Sequence, residues 1–220
     1  MTVFHRNETG ERLPERLRNG VVAIGNFDGV HRGHQAVLER ALDIAAGSGK
    51  PALVLTFEPH PRTVFKPETP LFRLTPAPLK ARILEMLGFQ AVVDYPFTVD
   101  FAQRSAEDFI STVLMDWLGV SEVVTGFDFH FGRGREGGPA FLMDAGSRNG
   151  FGVTLVDAFR DEGADVVSSS RIRALLTEGA VAEAAGLLGY RYTVEAEVIH
   201  GKQLGRTLGY PTANMSLPPE

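Results

Sequence analysis

Two histidines three residues apart, in the run Gly25-Asn26-Phe27-Asp28-Gly29-Val30-His31-Arg32-Gly33-His34-Gln35, are the residues best placed by type and spacing to do chemistry. An i, i+3 spacing puts His31 and His34 on one face of a helix. They stand where an apolar run gives way to a helical pattern, so that helix begins beside them. Free backbone N–H groups and the helix dipole favour an anion at such a start. Gly33 leaves room for a phosphate to approach the backbone, and Gly29 permits a sharp turn from strand into helix. The combination describes a triphosphate cradle. A metal-binding pair and two ordinary surface histidines are the competing readings of the spacing alone.

Three further patterns invite anions or rings. In Ser168-Ser169-Ser170-Arg171-Ile172-Arg173, one serine can cap a helix N-terminus. Arg171 and Arg173 then fall in the first turn, where positive charge opposes the dipole, which suggests an anion held between them. The stretch Thr125–Gly138 carries three phenylalanines, five glycines and two arginines, a basic loop suited to stacking on a planar base. Its Asp128 lies where a strand passes into the loop. In Phe57-Glu58-Pro59-His60-Pro61-Arg62, two prolines stiffen a loop that holds Phe57 and His60 in fixed orientation. A core-facing phenylalanine stripe and a plain structural corner remain open for the last two. No serine–histidine–acid triad or pair of catalytic carboxylates can be argued.

The elements that must position these residues alternate in type. Strands are expected at Val21–Phe27, Pro51–Phe57, Ala91–Phe97, Glu122–Phe127 and Val153–Phe159. Helices are expected at His31–Ala46, Pro78–Leu87, Ala106–Leu118, Pro139–Asn149, Ser168–Gly179 and Ala180–Leu188. Strand–helix alternation implies an α/β fold, a parallel sheet with helices on both faces and ligands at the carboxyl ends of its strands. The proline-rich stretch from Glu58 to Pro78 is too long for a mere connector and reads as a binding loop. Beyond Gly189 the style changes to alternating residues and glycine-rich turns, the pattern of antiparallel strands. Such strands without a barrel would expose unpaired edges, so residues beyond about 190 are expected to be mobile or borrowed by a neighbour.

Composition narrows the class. The chain has 220 residues, 44% hydrophobic and 22% charged, the balance of a soluble globular protein. It has no cysteine, which removes disulfides, iron–sulfur clusters and thiol catalysis. A net charge of −5 argues against a general nucleic-acid binder. No apolar run of about 18 residues points to a membrane span, and the polar start gives no secretory signal, so a cytoplasmic location is expected. The oligomeric state is left open.

Taken in order, GNFDGVHRGHQ, FEPHPR, GFDFHFGRGREGG and SSSRIR resemble the adenylyltransferase module of bacterial bifunctional riboflavin kinase/FAD synthetases. The resemblance runs from about residue 18 to 188, and its H-x-G-H element alone would indicate only the wider nucleotidyltransferase superfamily. It implies a Rossmann-like nucleotidyltransferase domain over 1–188 that transfers AMP from ATP to FMN, with Mg²⁺ assisting. It implies His31, His34 and Arg173 as catalytic residues. Gly25, Asn26, Phe27, Gly29, Gly33, Asp128, Ser169 and Ser170 would bind ATP, and Phe57, Pro59 and His60 the flavin. Ser170 stands where relatives commonly carry threonine, and a hydroxyl survives. Residues 189–220 look like the opening of the family's riboflavin kinase β-barrel, whose Mg-nucleotide element is matched by Thr212 and Asn214. The parent protein is then expected to phosphorylate riboflavin as well. This chain, which stops before the barrel's catalytic glutamate, is expected not to. Another small-substrate nucleotidyltransferase and a non-catalytic flavin- or nucleotide-binding regulator are the alternatives.

Overall fold

Strands that are apolar on both faces can be stable only with a layer on each side, and the chain builds that arrangement. The computed structural model describes residues 2–5, 13–69, 71–201 and 204–216. Six parallel strands, β1 (Thr2–His5), β2 (Val21–Ile24), β3 (Ala52–Glu58), β4 (Ala91–Pro96), β5 (Glu122–Gly126) and β6 (Gly152–Val156), form one sheet in the order β1-β4-β3-β2-β5-β6. Strand direction of travel reverses between β2 and β5, so the crevice beyond their carboxyl ends is the topological switch point. The α/β fold with helices on both faces is as expected. Strand β1 was not expected: its four residues, TVFH, are too few to show a period, and it forms by pairing with β4.

The helices are α1 (Arg32–Ser48), α2 (Pro61–Phe65), α3 (Ala77–Leu87), α4 (Val99–Ala102), α5 (Ala106–Asp108), α6 (Pro139–Asn149), α7 (Ser169–Thr177), α8 (Val181–Leu188) and α9 (Leu204–Thr207). Helix α5 runs straight into a π-helical stretch over Phe109–Leu118, together filling the span expected to be one helix. The strand alternation divides the core. Val22, Ile24, Leu53, Leu55 and Val93 meet the π-helical stretch and α6, including Ile110, Leu114, Trp117 and Leu142. Val21, Ala23, Val54 and Val92 meet Val37, Leu38 and Ala41 of α1 and Leu84 of α3. A third cluster joins Leu74, Val167, Ile172, Ala184, Leu187 and Leu188, seating α7 and α8 beside the β3–α3 loop.

The proline-rich loop is partly helical, since His60 caps α2 and Pro61 begins it. Beyond α8, Gly189 ends the helix at φ 81°, a left-handed position that glycine takes without steric cost. Two short strands follow, β7 (Glu197–Ile199) and β8 (Asn214–Ser216), paired antiparallel as the sequence suggested.

Candidate functional site

At the carboxyl end of β2 the chain turns through an unusual backbone path. Phe27, Gly29 and Val30 have φ of 49°, 89° and 35°. Positive φ at a bulky or β-branched residue costs roughly 1–3 kcal/mol and persists only where its surroundings enforce it. Here they do. The Asp28 carboxylate accepts from the backbone N–H of Leu74 (3.3 Å) and Thr75 (3.0 Å). Gly29 N–H donates to Thr75 Oγ1 (2.8 Å), Ser169 Oγ donates to the Asp28 carbonyl (2.8 Å), and the Tyr190 hydroxyl donates to the Gly29 carbonyl (2.6 Å). A Cβ on Gly29 would lie 2.7 Å from Leu74 Cδ1, so sterics and φ both demand glycine.

This turn delivers His31 as the N-cap of α1, its Nδ1 accepting from the His34 N–H at 3.3 Å. A neutral imidazole whose Nδ1 accepts must carry its proton on Nε2. His31 and His34 are stacked with centroids 3.6 Å apart and planes 16° from parallel. Gly33 makes this possible, because a Cβ there would stand 3.2 Å from the His31 ring and 3.3 Å from the Val167 carbonyl. Burial lowers the His31 pKa to about 4, the nearby Arg173 adding to the fall and Asp28 opposing it. Burial, then His31 and Lys80, hold His34 well below the ordinary imidazole value. Both rings are therefore neutral near pH 7. His34 Nδ1 is buried without a hydrogen-bond partner among the described residues.

Below the turn lies a charge network that the sequence reading did not find. Lys80 of α3, fully buried, donates to Thr56 Oγ1 (2.8 Å), Glu58 Oε1 (2.8 Å) and the Asn26 carbonyl (3.4 Å). Arg73 grips Glu58 with two parallel bonds of 3.0 and 2.7 Å and lies 3.6 Å from Asp28. Arg173 of α7 pairs with the other Asp28 oxygen and donates from Nε to the Phe72 carbonyl. Glu58 is pulled down to about 2: burial opposes the fall, and the Arg73 and Lys80 bonds overcome it. Asp28 and Glu58 thus tie the β2 turn to the β3–α3 loop and to α7.

The serine motif behaves as expected in its cap, since Ser168 Oγ accepts from the Arg171 N–H at 3.3 Å. Of the two arginines expected to face an anion, Arg171 meets Asp161 (2.6 Å) and Arg173 meets Asp28, two separate carboxylates of the chain itself. Side chains on adjacent odd positions of a helix diverge by about 200°, so they reach different partners. Ser169 is half-buried and bound to the Asp28 carbonyl, whereas Ser170 is exposed. His60 Nδ1 accepts from the Arg62 N–H (3.1 Å), and burial first, then Arg73, lowers its pKa to about 4. The Asp28 and Arg173 charges act on both His60 and His31. Pro59 is exposed and follows a cis peptide bond. Phe57 is 7% exposed and packs with Tyr95, Phe97 and Phe101. Asp128 is exposed at the end of β5. Gly25 and Asn26 are half-buried beside buried Phe27. Thr212 and Asn214 lie in the tail, where Asn214 pairs with Ile199.

A sequence model described as FAD synthetase matches residues 13–171, and one described as riboflavin kinase matches 188–220. The chain belongs to the FAD synthetase family. Among its FAD synthetase relatives, the bifunctional riboflavin kinase/FMN adenylyltransferase of Escherichia coli K12 is 40% identical over 90% of this chain and 63% of its own. That of Listeria monocytogenes is 42% identical over 90% of this chain and 62% of its own, and that of Bacillus subtilis 36% identical over 99% and 68%. The chain thus spans about 63% of the length of the first of these relatives. A crystal structure titled a macrolide-efflux protein from Streptococcus pneumoniae superposes with a TM-score of 0.84 at 28% identity, covering 99% of this chain and 69% of that one. No helix among the described residues is long and apolar enough to cross a membrane.

Proposed function

We propose that the chain is an FMN adenylyltransferase, making FAD and pyrophosphate from ATP and FMN. The observation that carries this is the pair of stacked neutral imidazoles at the start of α1, at the switch point, inside the segment that matches the FAD synthetase family. An FMN phosphate oxygen attacks the α-phosphorus of ATP, the bond to the bridging oxygen breaks, and its electron pair leaves on pyrophosphate. Such a reaction needs alignment and charge neutralisation rather than a covalent intermediate.

The triphosphate lies against the N-terminus of α1, where His31 Nε2–H and His34 are the side-chain donors. Incoming negative charge raises both imidazole pKa values and strengthens those bonds as charge accumulates on the leaving group. Arg173, Ser169 and Ser170 reach the phosphates from α7, and Asp128 orients the nucleotide from the end of β5. Phe57, Pro59 and His60 form the flavin side. Mg²⁺ would enter with the phosphates, an arrangement that needs few dedicated protein ligands. When bound, it neutralises phosphate oxygens. A cytoplasmic setting and, for a longer parent, a riboflavin kinase activity using Thr212 and Asn214 complete the reading.

The test is chromatography of products after incubation with ATP, Mg²⁺ and either FMN or riboflavin. FAD from FMN, with no FMN from riboflavin, is expected. ATP binding without FAD formation overturns the reading in favour of another acceptor or a silent binding module.

A further inference from the structure

Tyr190 lies beyond α8, in the segment that matches the riboflavin kinase family, yet its hydroxyl ends at the turn that precedes His31. Three contacts bring it there. Gln35 of α1 donates to the Leu188 carbonyl (2.9 Å) and the Val30 carbonyl (2.7 Å), which clamps the end of α8 against the turn. Tyr190 and Tyr192 pack on the cluster formed by Leu74, Ile172 and Leu188. The Tyr192 ring lies 6.1 Å from that of Phe72, whose carbonyl accepts from Arg173.

The hydrogen bond from Tyr190 completes the fixation of the Gly29 residue. Its N–H is held by Thr75 and its carbonyl by Tyr190. The next residue, Val30, is β-branched with φ of 35°, a conformation it leaves unless its neighbours are held. Val30 in turn sets His31 as the helix cap. We propose that Tyr190 is a positioning residue for the adenylyl transfer, holding the Gly29–Val30 turn so that the His31–His34 stack is preformed, and thus that the second segment supplies part of the first segment's site. Burial raises the phenol pKa, so the hydroxyl remains a donor across the neutral range.

This rests on the adenylyltransferase reading, and the test separates the two. Tyr190→Phe removes one oxygen and keeps the ring in its cluster. Tyr192→Phe is the control, removing a hydroxyl with no hydrogen-bond partner among the described residues. In the full chain, Tyr190→Phe should lower kcat for FAD formation about five- to tenfold, the scale of one lost hydrogen bond to a buried acceptor, with KM for FMN unchanged. Amide hydrogen exchange at Gly29, Val30 and His34 should quicken by a similar factor. Tyr192→Phe should change neither. A Tyr190→Phe chain with unchanged exchange, or with unchanged kcat in an active wild type, overturns the proposal. If the wild type makes no FAD, the adenylyltransferase reading fails, and exchange alone then decides whether Tyr190 holds the turn.

Discussion

On the proposed reading, the two nitrogens of His31 are divided between structure and chemistry. Nδ1 caps α1, and Nε2 carries the proton that would face the triphosphate, so a substitution can separate the roles. Asparagine is among the best N-caps, which makes His31→Asn the informative variant. It should fold with a normal midpoint at pH 7 and lose about 100- to 1000-fold in FAD formation, the scale of one charge-stabilising donor. A loss under about threefold would remove His31 from the catalytic account. The same variant tests the pKa. Burial lowers the His31 pKa to about 4 in the fold, against about 6.5 for a free imidazole, so the unfolded chain binds the proton first as pH falls. The stability it contributes is present above about pH 6.5 and lost between there and about 4. Thermal midpoints measured across that window should fall less steeply for His31→Asn than for wild type. Glu58, at about 2 in the fold, acts only at lower pH.

Between elements, Lys80 is the joint. It reaches from α3 through the ends of β3 and β2 and takes Thr56, Glu58 and the Asn26 carbonyl at once. Breaking a buried pair by removing one partner costs about 3–5 kcal/mol, chiefly because the other charge stays buried alone. Arg73 still holds Glu58 in Lys80→Met, so a loss of about 3 kcal/mol in urea unfolding is expected. Lys80→Met/Glu58→Gln should lose clearly less than the sum of the single variants. Additive losses would show that the two side chains act separately. This joint marks the limit of what the sequence makes legible. Helices α1, α3, α6, α7 and α8 could be read because apolar periodicity, a capping serine or histidine and terminal glycines are local signals. So could the histidine pair, whose spacing and glycine lie within one turn. Lys80, Glu58, Arg73 and Asp28 gave no such signal. Each looks like an ordinary loop or helix charge, and their pairing depends on a fold that brings β2, β3 and α3 together. The partners of the α7 arginines were hidden for the same reason, since those carboxylates lie 10 and 145 residues away along the chain.

At the scale of the molecule, two cores clamp the sheet and a third attaches α7 and α8 to it. The first two are interleaved with the strands and should unfold with them. The third draws on Leu74 and residues 167–188, so its attachment depends more on the polar contacts at Asp28. That carboxylate gathers Leu74, Thr75, Arg73 and Arg173, residues 45 to 145 positions away, around one buried point. Asp28→Asn nearly preserves shape and leaves Arg73 and Arg173 without their shared anion. Native-state amide exchange should then quicken about 10- to 100-fold over Ser169–Leu188, a local opening, while β2, β3 and β5 keep their protection relative to the global unfolding limit. Neutralising the exposed Glu107, which pairs with Arg148 on the surface, should leave both regions unchanged, because water already solvates both charges. Equal loss of protection in sheet and helices would instead make Asp28 a support of the whole domain. Selective loss would mean that the helix carrying Ser169 and Arg173 is held to the histidine turn mainly by the charges of the site itself, so that binding an anion there and docking that helix are one equilibrium.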